Sequence, residues 1–539
     1  MPQANNAPDF VGIDFGTTRI IVAQADRGNY PLVNFEGPAQ QVRDWFPPQV
    51  AVHRGERVYG WDIWEAREES EWTVVRSLKR CLKDAGPETL VHLGGQTIRL
   101  HRLLAELTAA LRIQLQDHSS LRLTPGEPLQ VMLGVPANAN SNQRYLTAEA
   151  FRAAGFEVLG LLNEPSAASV EFGYRNPAGG KSKRKECLLV YDLGGGTFDA
   201  SLVAIEDNVH CVIGSAGVST LGGDDMDEIL ADLALESAGI SAAERESLSQ
   251  AESFRLHEEC REKKESLNPN TRKVAIDLER VRHGWPEVSI PVAAFYDLCR
   301  PLIEETRQVV EELLAAHPEH ALETLYVTGG GSELPPVARV LRESFGRRVR
   351  RSAYMRSATA IGLAIHGDAQ AGYVLKDRFT QNFGVWRESE GGQSVVFDVL
   401  FARGTELPRR GEDALCRVRT YYAVHNVGHF RYLECAQLSA NGQPVGDITE
   451  WDEIRFPFDA GLQAGLDLSS LPVSRSLPPG SHAVEETYTC DSSGTITVNI
   501  RDTSADYSRQ YKLGRWSARE AQITPGRAVR QRRQGRQGA

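Results

Sequence analysis

Two stretches far apart in this chain repeat one design, and together they leave few folds open. Residues 10–18 read Phe-Val-Gly-Ile-Asp-Phe-Gly-Thr-Thr, and residues 188–199 read Leu-Leu-Val-Tyr-Asp-Leu-Gly-Gly-Gly-Thr-Phe-Asp. Each starts as an apolar run of strand length and ends in a carboxylate, Asp14 or Asp192. Glycines follow: Gly16 in the first, and Gly194, Gly195 and Gly196 in the second. Thr17, Thr18 and Thr197 add hydroxyls, and Asp199 a further carboxylate. Glycine reaches conformations closed to other residues and lets main chain approach a ligand. N–H groups in such turns form concavities for anions, and nearby carboxylates suit Mg²⁺, which keeps much of its water shell. The repetition predicts a duplicated fold whose halves grip one phosphate chain, with Asp14 and Asp192 holding Mg²⁺ through water from opposite sides.

Bulk properties narrow the class. A chain of 539 residues needs two or more cores. A net charge of −11 argues against a general nucleic-acid binder, which needs a basic face. The N-terminus has no basic-then-apolar leader pattern, and no apolar run approaches membrane-spanning length, so no membrane partner is expected. Eight cysteines stand singly without a Cys-x-x-Cys pair, the usage of a reducing, cytoplasmic compartment. No Gly-x-x-x-x-Gly-Lys-Ser/Thr loop occurs, which excludes a P-loop NTPase.

In chain order, residues 74–85 are expected to be a helix bearing Arg76, Lys79, Arg80 and Lys83 on a basic face. Leucines at helical spacing predict a helix over 101–116. A buried strand follows at 129–136, then a helix over 143–154 ended by Gly155, and a strand over 158–162. Glu164 stands at a strand-to-helix junction, with Pro165 suited to the first helical turn. After an exposed Gly/Lys-rich loop at 179–185 and the central strand, Gly222-Gly223-Asp224 leads into a helix. Helices over 251–267 and 299–315 precede a strand at 324–328, which runs into Gly329-Gly330-Gly331-Ser332. Pro335 opens the next helix, and small residues fill another over 357–366. Strands alternating with helices argue for an α/β fold to about residue 370. Beyond Gly372 the pattern turns to alternating strands at 394–402, 415–424, 431–438, 454–458, 484–489 and 495–500.

These ordered motifs resemble the Hsp70 (DnaK-type) chaperones of the actin-like ATPase superfamily. The resemblance implies a two-lobed actin-like nucleotide-binding domain over 9–370, after a flexible 1–8. An interdomain linker over 371–380 and a β-sandwich, peptide-binding-like domain over 381–514 would follow, then a disordered Arg-rich tail over 515–539. It implies ATP/ADP and Mg²⁺ in the cleft, with Gly16, Thr17, Thr18 and Gly194–Thr197 as phosphate loops. Gly222, Gly223, Asp224, Lys264, Gly329, Gly330, Gly331 and Ser332 would complete the nucleotide site. Lys79, in Ser-Leu-Lys-Arg, falls where the family places its catalytic lysine; Glu164, Asp192 and Asp199 join it in the catalytic set. Pro136 and Arg144 match a proline and an arginine that relay nucleotide state to the peptide domain. Unfolded or extended polypeptide, J-domain proteins and nucleotide-exchange co-chaperones are the implied partners.

Four departures stand out. Glu333 replaces the family's adenine-stacking arginine, and a carboxylate supplies no cation–π contact. Arg261 stands where the ribose-contacting helix has an acidic residue. The linker, Tyr373-Val374-Leu375-Lys376-Asp377, keeps part of the family's apolar edge, and no helical lid is expected after Leu513. The leading expectation is therefore an ATP-hydrolysing, lidless Hsp70-like chaperone. The alternative is a nucleotide-gated binding or regulatory protein with one dedicated partner and little general folding activity. A small-molecule kinase or filament former on the same fold is disfavoured by the β domain.

Overall fold

A computed structural model describes residues 10–66, 72–82, 85, 89–121, 123, 128–177, 185–409, 411–463, 467–468 and 470–513. The segments expected to be a flexible start (1–8) and a disordered tail (515–539) lie outside these residues, as do Lys83 and residues 179–184 of the exposed loop.

Each repeated motif folds as a hairpin within its own sheet, at one edge of the first and in the middle of the second. Val11–Phe15 pairs antiparallel with Ile20–Gln24 and parallel with Leu129–Val135, and Phe156–Asn163 completes a four-stranded sheet. Lys185–Leu193 pairs antiparallel with Phe198–Glu206 and parallel with Thr324–Thr328, inside a six-stranded sheet. Both central strands are covered on two faces, which is why they read as continuous apolar runs. Between the halves lie the helices Glu164–Arg175 and Ala358–Gly367. Their small residues let backbones meet: a Cβ at Gly362 would lie 1.8 Å from the Ala167 carbonyl oxygen, and one at Gly12 2.4 Å from that of Ala360.

One expected helix is absent. In place of a helix over 74–85, Trp72–Val75 is a strand paired with Val50–His53, and a turn leads into the short 3-10 helix Arg80–Leu82. The β-branched Thr73, Val74 and Val75 favour the pleat once a partner strand is present, and the basic spacing there is incidental. Lys79 consequently sits in a turn.

Two four-stranded antiparallel sheets form the region after the linker. One runs in the order Ser394–Phe401, Asn382–Ser389, Val427–Leu438, Pro444–Pro457; the other Leu415–Ala423, His482–Cys490, Ile496–Asp502, Tyr507–Lys512. Phe383, Phe401, Tyr432, Phe456, Tyr488 and Val498 fill the space between them. The strands Asn382–Ser389 and Tyr507–Lys512 are additions to the sequence reading. The linker itself is partly structured: Val374–Lys376 joins the edge of the six-stranded sheet, parallel to residues 209–211, and buries Leu375. No helix among the described residues is long and apolar enough to cross a membrane.

Candidate functional site

The two hairpin turns face each other across a groove between the sheets. A Cβ at Gly195 would lie 2.6 Å from Thr18 Cγ2, and one at Gly196 2.6 Å from Thr17 Cγ2 and from Arg80 Nε. Only glycine permits that approach. The third turn packs on the second, with Gly223 N–H donating to the Gly194 carbonyl at 2.9 Å and Asp224 N–H to that of Gly195 at 2.7 Å. The fourth begins at Gly329, whose φ of +85° is open to glycine and whose missing Cβ leaves room for Asp192 Oδ1. One hollow is lined by Asp14, Gly16, Thr17, Thr18, Lys79, Glu164, Asp192, Gly194, Gly195, Thr197, Gly223, Asp224, Lys264 and Gly329–Gly331. Ser332 is buried just beneath, its hydroxyl without a hydrogen-bond partner among the described residues. Gly196 and Gly222 shape the turns around it through the close contacts that their missing Cβ atoms allow.

At the base of the hollow, Lys79 Nζ donates to Glu164 Oε1 at 2.5 Å, both groups buried. Strand ends deliver the surrounding carboxylates: Asp14 from Val11–Phe15, and Asp192 and Asp199 as a cross-strand pair of the second hairpin. Burial, together with the charge of Glu164, pushes Asp14 and Asp199 up to about 7, with Lys79 acting against it in each case. Asp192 is raised well above the usual carboxylate range by burial first, then by Glu164, Asp14 and Asp199. Burial pulls the Lys79 ammonium down, but Glu164, Asp14 and Asp199 outweigh it and its pKa is raised. Ala137 N–H fixes Asp199 through Oδ1 at 3.1 Å. Four carboxylates around one lysine make a site short of positive charge, with oxygen donors that suit a hard divalent cation. Among the described residues, no three such side chains close around a point as a cage, so a cation here would complete its shell with water and ligand oxygens.

The other expected residues sort by place. Lys264 lines the hollow, but its ammonium is held by Asp227 Oδ1 at 2.7 Å and the Gly223 carbonyl at 2.5 Å. Burial raises Asp227 to about 6 against the pull of Lys264. Glu333 is bound by Arg356, which donates to it through Nε at 2.9 Å and Nη2 at 2.5 Å. Arg356 also reaches Glu265 at 3.0 Å, and Arg19 reaches Glu265 from the opposite half at 2.6 Å. Arg19, Asp227, Glu265 and Arg356 were not among the sequence-based candidates. Arg19 adjoins Thr18, and Arg356 lies just before the small-residue helix, so proximity to the motifs is the signal they offered.

Pro136 and Arg144 lie behind the floor of the hollow. Arg144 is buried, donates to Asn163 Oδ1, and feels the charges of Asp377 and Glu434. Asn163 in turn donates to Asp377 Oδ1 at 2.9 Å. A side chain next to Glu164 is thus tied to the linker. The β sandwich seats on the same face: Asn140 Nδ2 donates to Thr449 Oγ1 at 3.3 Å, and Lys512 Nζ lies 3.4 Å from Glu149 Oε1.

The sequence model of the Hsp70 protein family matches residues 83–385. That segment carries Glu164, Asp192, Asp199 and the later glycine turns. Asp14 and Lys79 precede it, and the fold brings them to the same hollow. The match spans more than half of the chain, and the chain belongs to the Hsp70 family of ATP-binding chaperones.

Proposed function

We propose that the protein binds Mg·ATP in this hollow, hydrolyses it slowly, and couples nucleotide state to capture of extended polypeptide by the β sandwich. The convergence of Asp14, Lys79, Glu164 and Asp192 beneath four glycine turns, with Asp199 beside Lys79 on the rear side, carries this reading. N–H groups at Gly16–Thr18 and Gly194–Thr197 cradle the β- and γ-phosphates, with Gly222–Asp224 and Gly329–Ser332 closing the nucleotide site. Asp14 and Asp192 would hold Mg²⁺ through water, and the ion when bound neutralises charge across the β- and γ-phosphates. Phosphoryl transfer is governed by positioning and electrostatics. Lys79 faces the γ-phosphate, and Glu164 fixes that ammonium and the attacking water. As the water oxygen bonds to the γ-phosphorus, the bond to the β-phosphate bridging oxygen breaks. Asp199, raised to about 7, can accept the water's proton near neutral pH.

The test is Lys79→Ala, assayed for nucleotide binding and for turnover. Turnover should fall about 10³-fold, the scale for removing one preorganised charge donor, with binding retained. Undiminished turnover removes Lys79 from the mechanism.

One observation favours the dedicated-partner reading. Residues 472–477 lie along the turn at 424–426: Asn426 N–H donates to the Ser474 carbonyl at 3.0 Å and Ser476 N–H to that of Val424 at 3.1 Å. Arg475 also reaches Glu388 at 3.4 Å. Main chain that pairs with itself offers fewer donors to an arbitrary peptide. A panel of unfolded peptides with and without ATP separates the two: ATP-sensitive capture of many sequences supports the chaperone. J-domain and exchange-factor partners belong to the same proposal.

A further inference from the structure

A second hollow of about 120 Å³ lies behind the catalytic floor. Thr17, Lys79 and Thr197 line both hollows, so the two meet at the place where a γ-phosphate would be cut. Their linings differ in make-up. The front hollow carries six carboxylates, Asp14, Glu164, Asp192, Asp224, Asp227 and Glu265, against five cations. The rear one carries one carboxylate, Asp199, with Lys79 and Arg80, which also reach the front carboxylates Glu164 at 2.5 Å and Asp224 at 3.3 Å. Amides and hydroxyls of Asn138, Gln143, Thr147 and Ser219 furnish the rest of its polar wall. Its far side is closed by the β domain and its approach, through Gln381, Ile448 and Thr449. The Gln381 side-chain oxygen is buried there without a hydrogen-bond partner among the described residues, and an amide can turn over to offer donors.

We propose that orthophosphate released by hydrolysis leaves through this rear hollow, with the seated β domain as its stopper. The inference rests on the hydrolysis reading above. After cleavage the diphosphate still fills the front hollow. The freed oxyanion therefore meets, on the rear side, Lys79, Arg80 and neutral amides and hydroxyls, with Asp199 as the one carboxylate of that lining. The volume is several times the roughly 30 Å³ that one water occupies in the liquid, enough for a small tetrahedral anion. The route opens outward when Ile448 and Thr449 lift away, so phosphate loss and unseating of the β domain become one event.

The side chain of Ile448 is half exposed, so it tolerates both a smaller and a larger replacement. In single-turnover reactions of the full chain with Mg·ATP, acid quenching reads bond cleavage and a fluorescent phosphate sensor reads free phosphate. Ile448→Ala should release phosphate severalfold faster than the parent and Ile448→Trp severalfold slower, with cleavage unchanged in both. Parental release in both variants, or release that merely follows an altered cleavage rate, overturns the proposal. A chain that cleaves no ATP sinks the hydrolysis reading instead. The exit is then decided by loading parent and variants with Mg·ADP and radiolabelled orthophosphate: escape that depends on residue 448 supports it, and escape that does not overturns it.

Discussion

The cleft between the first two sheets and the β sandwich both bury charge, and they treat it in opposite ways. In the sandwich, Arg387 donates to Asp398 Oδ2 at 2.7 Å and to Glu486 Oε2 at 2.6 Å, and Arg419 closes on Asp398 with two contacts of 2.8 Å. Tyr488 adds a hydroxyl to the fully buried Glu486. Burial would raise Asp398, but Arg419 and Arg387 outweigh it and hold its carboxyl below the usual range. In the cleft the balance runs the other way, and Asp14, Asp192 and Asp199 are all raised. A paired network serves structure; a cluster of raised carboxylates short of a cation marks a candidate ligand site.

The largest break in that contrast comes from Arg387→Met. It strands the fully buried Glu486, while Asp398 keeps Arg419, and losing one partner of a buried pair costs about 3–5 kcal/mol. The β sandwich should melt at markedly lower temperature while Mg·ATP binding in the cleft persists. Calorimetry with and without nucleotide checks it, and an unchanged β transition refutes the structural role of the network.

Next in size is Leu375→Ala, at the edge strand that joins the two regions. Truncating a buried leucine costs about 2–5 kcal/mol. Here the loss falls on the pairing of 374–376 with 209–211. The cleft and the sandwich should then unfold as two separate transitions, where the parent shows coupled ones. Identical coupling in the variant means that the linker strand does not join them.

The smallest effect is a slope. Asp14 and Asp199 titrate near 7 in the folded chain against an ordinary value of 3.8. Between those values the folded state binds more protons than the unfolded one, so their contribution to stability falls as pH rises from about 4 to 7. Without metal or nucleotide, Asp199→Asn should flatten part of that fall, and melting temperature against pH reads it. Mg·ATP should flatten it in the parent, since a bound cation favours the ionised carboxylates. Parent and variant curves of equal slope would show that Asp199 is ionised throughout.

The two hairpins could be read from the chain because each is contiguous: strand, carboxylate and glycines lie within a dozen residues. Glu164 was legible for the same reason, at a local junction marked by Pro165. Lys79 was placed by resemblance, yet its expected helix was wrong, since Trp72–Val75 takes its form from Val50–His53, a partner local spacing does not reveal. The Arg387 network was invisible: Arg387, Asp398, Arg419 and Glu486 are spread over four strands of two sheets. The ladder from Arg19 through Glu265 and Arg356 to Glu333 joins residues from the first hairpin to the last glycine turn. There the sequence showed only that Glu333 supplies no stacking cation.

What the amino-acid order determined by itself is the chemistry on offer: strand-borne carboxylates, glycine turns that expose N–H groups, and a lysine and a glutamate at their places. Backbone conformation over a few residues follows from local sterics, so such pieces declare themselves in the chain. Tertiary structure decided which charges meet. Only the packed chain left Asp14, Asp192 and Asp199 short of a cation while neutralising Asp398, because the field at a buried group depends on neighbours in space and on the exclusion of water.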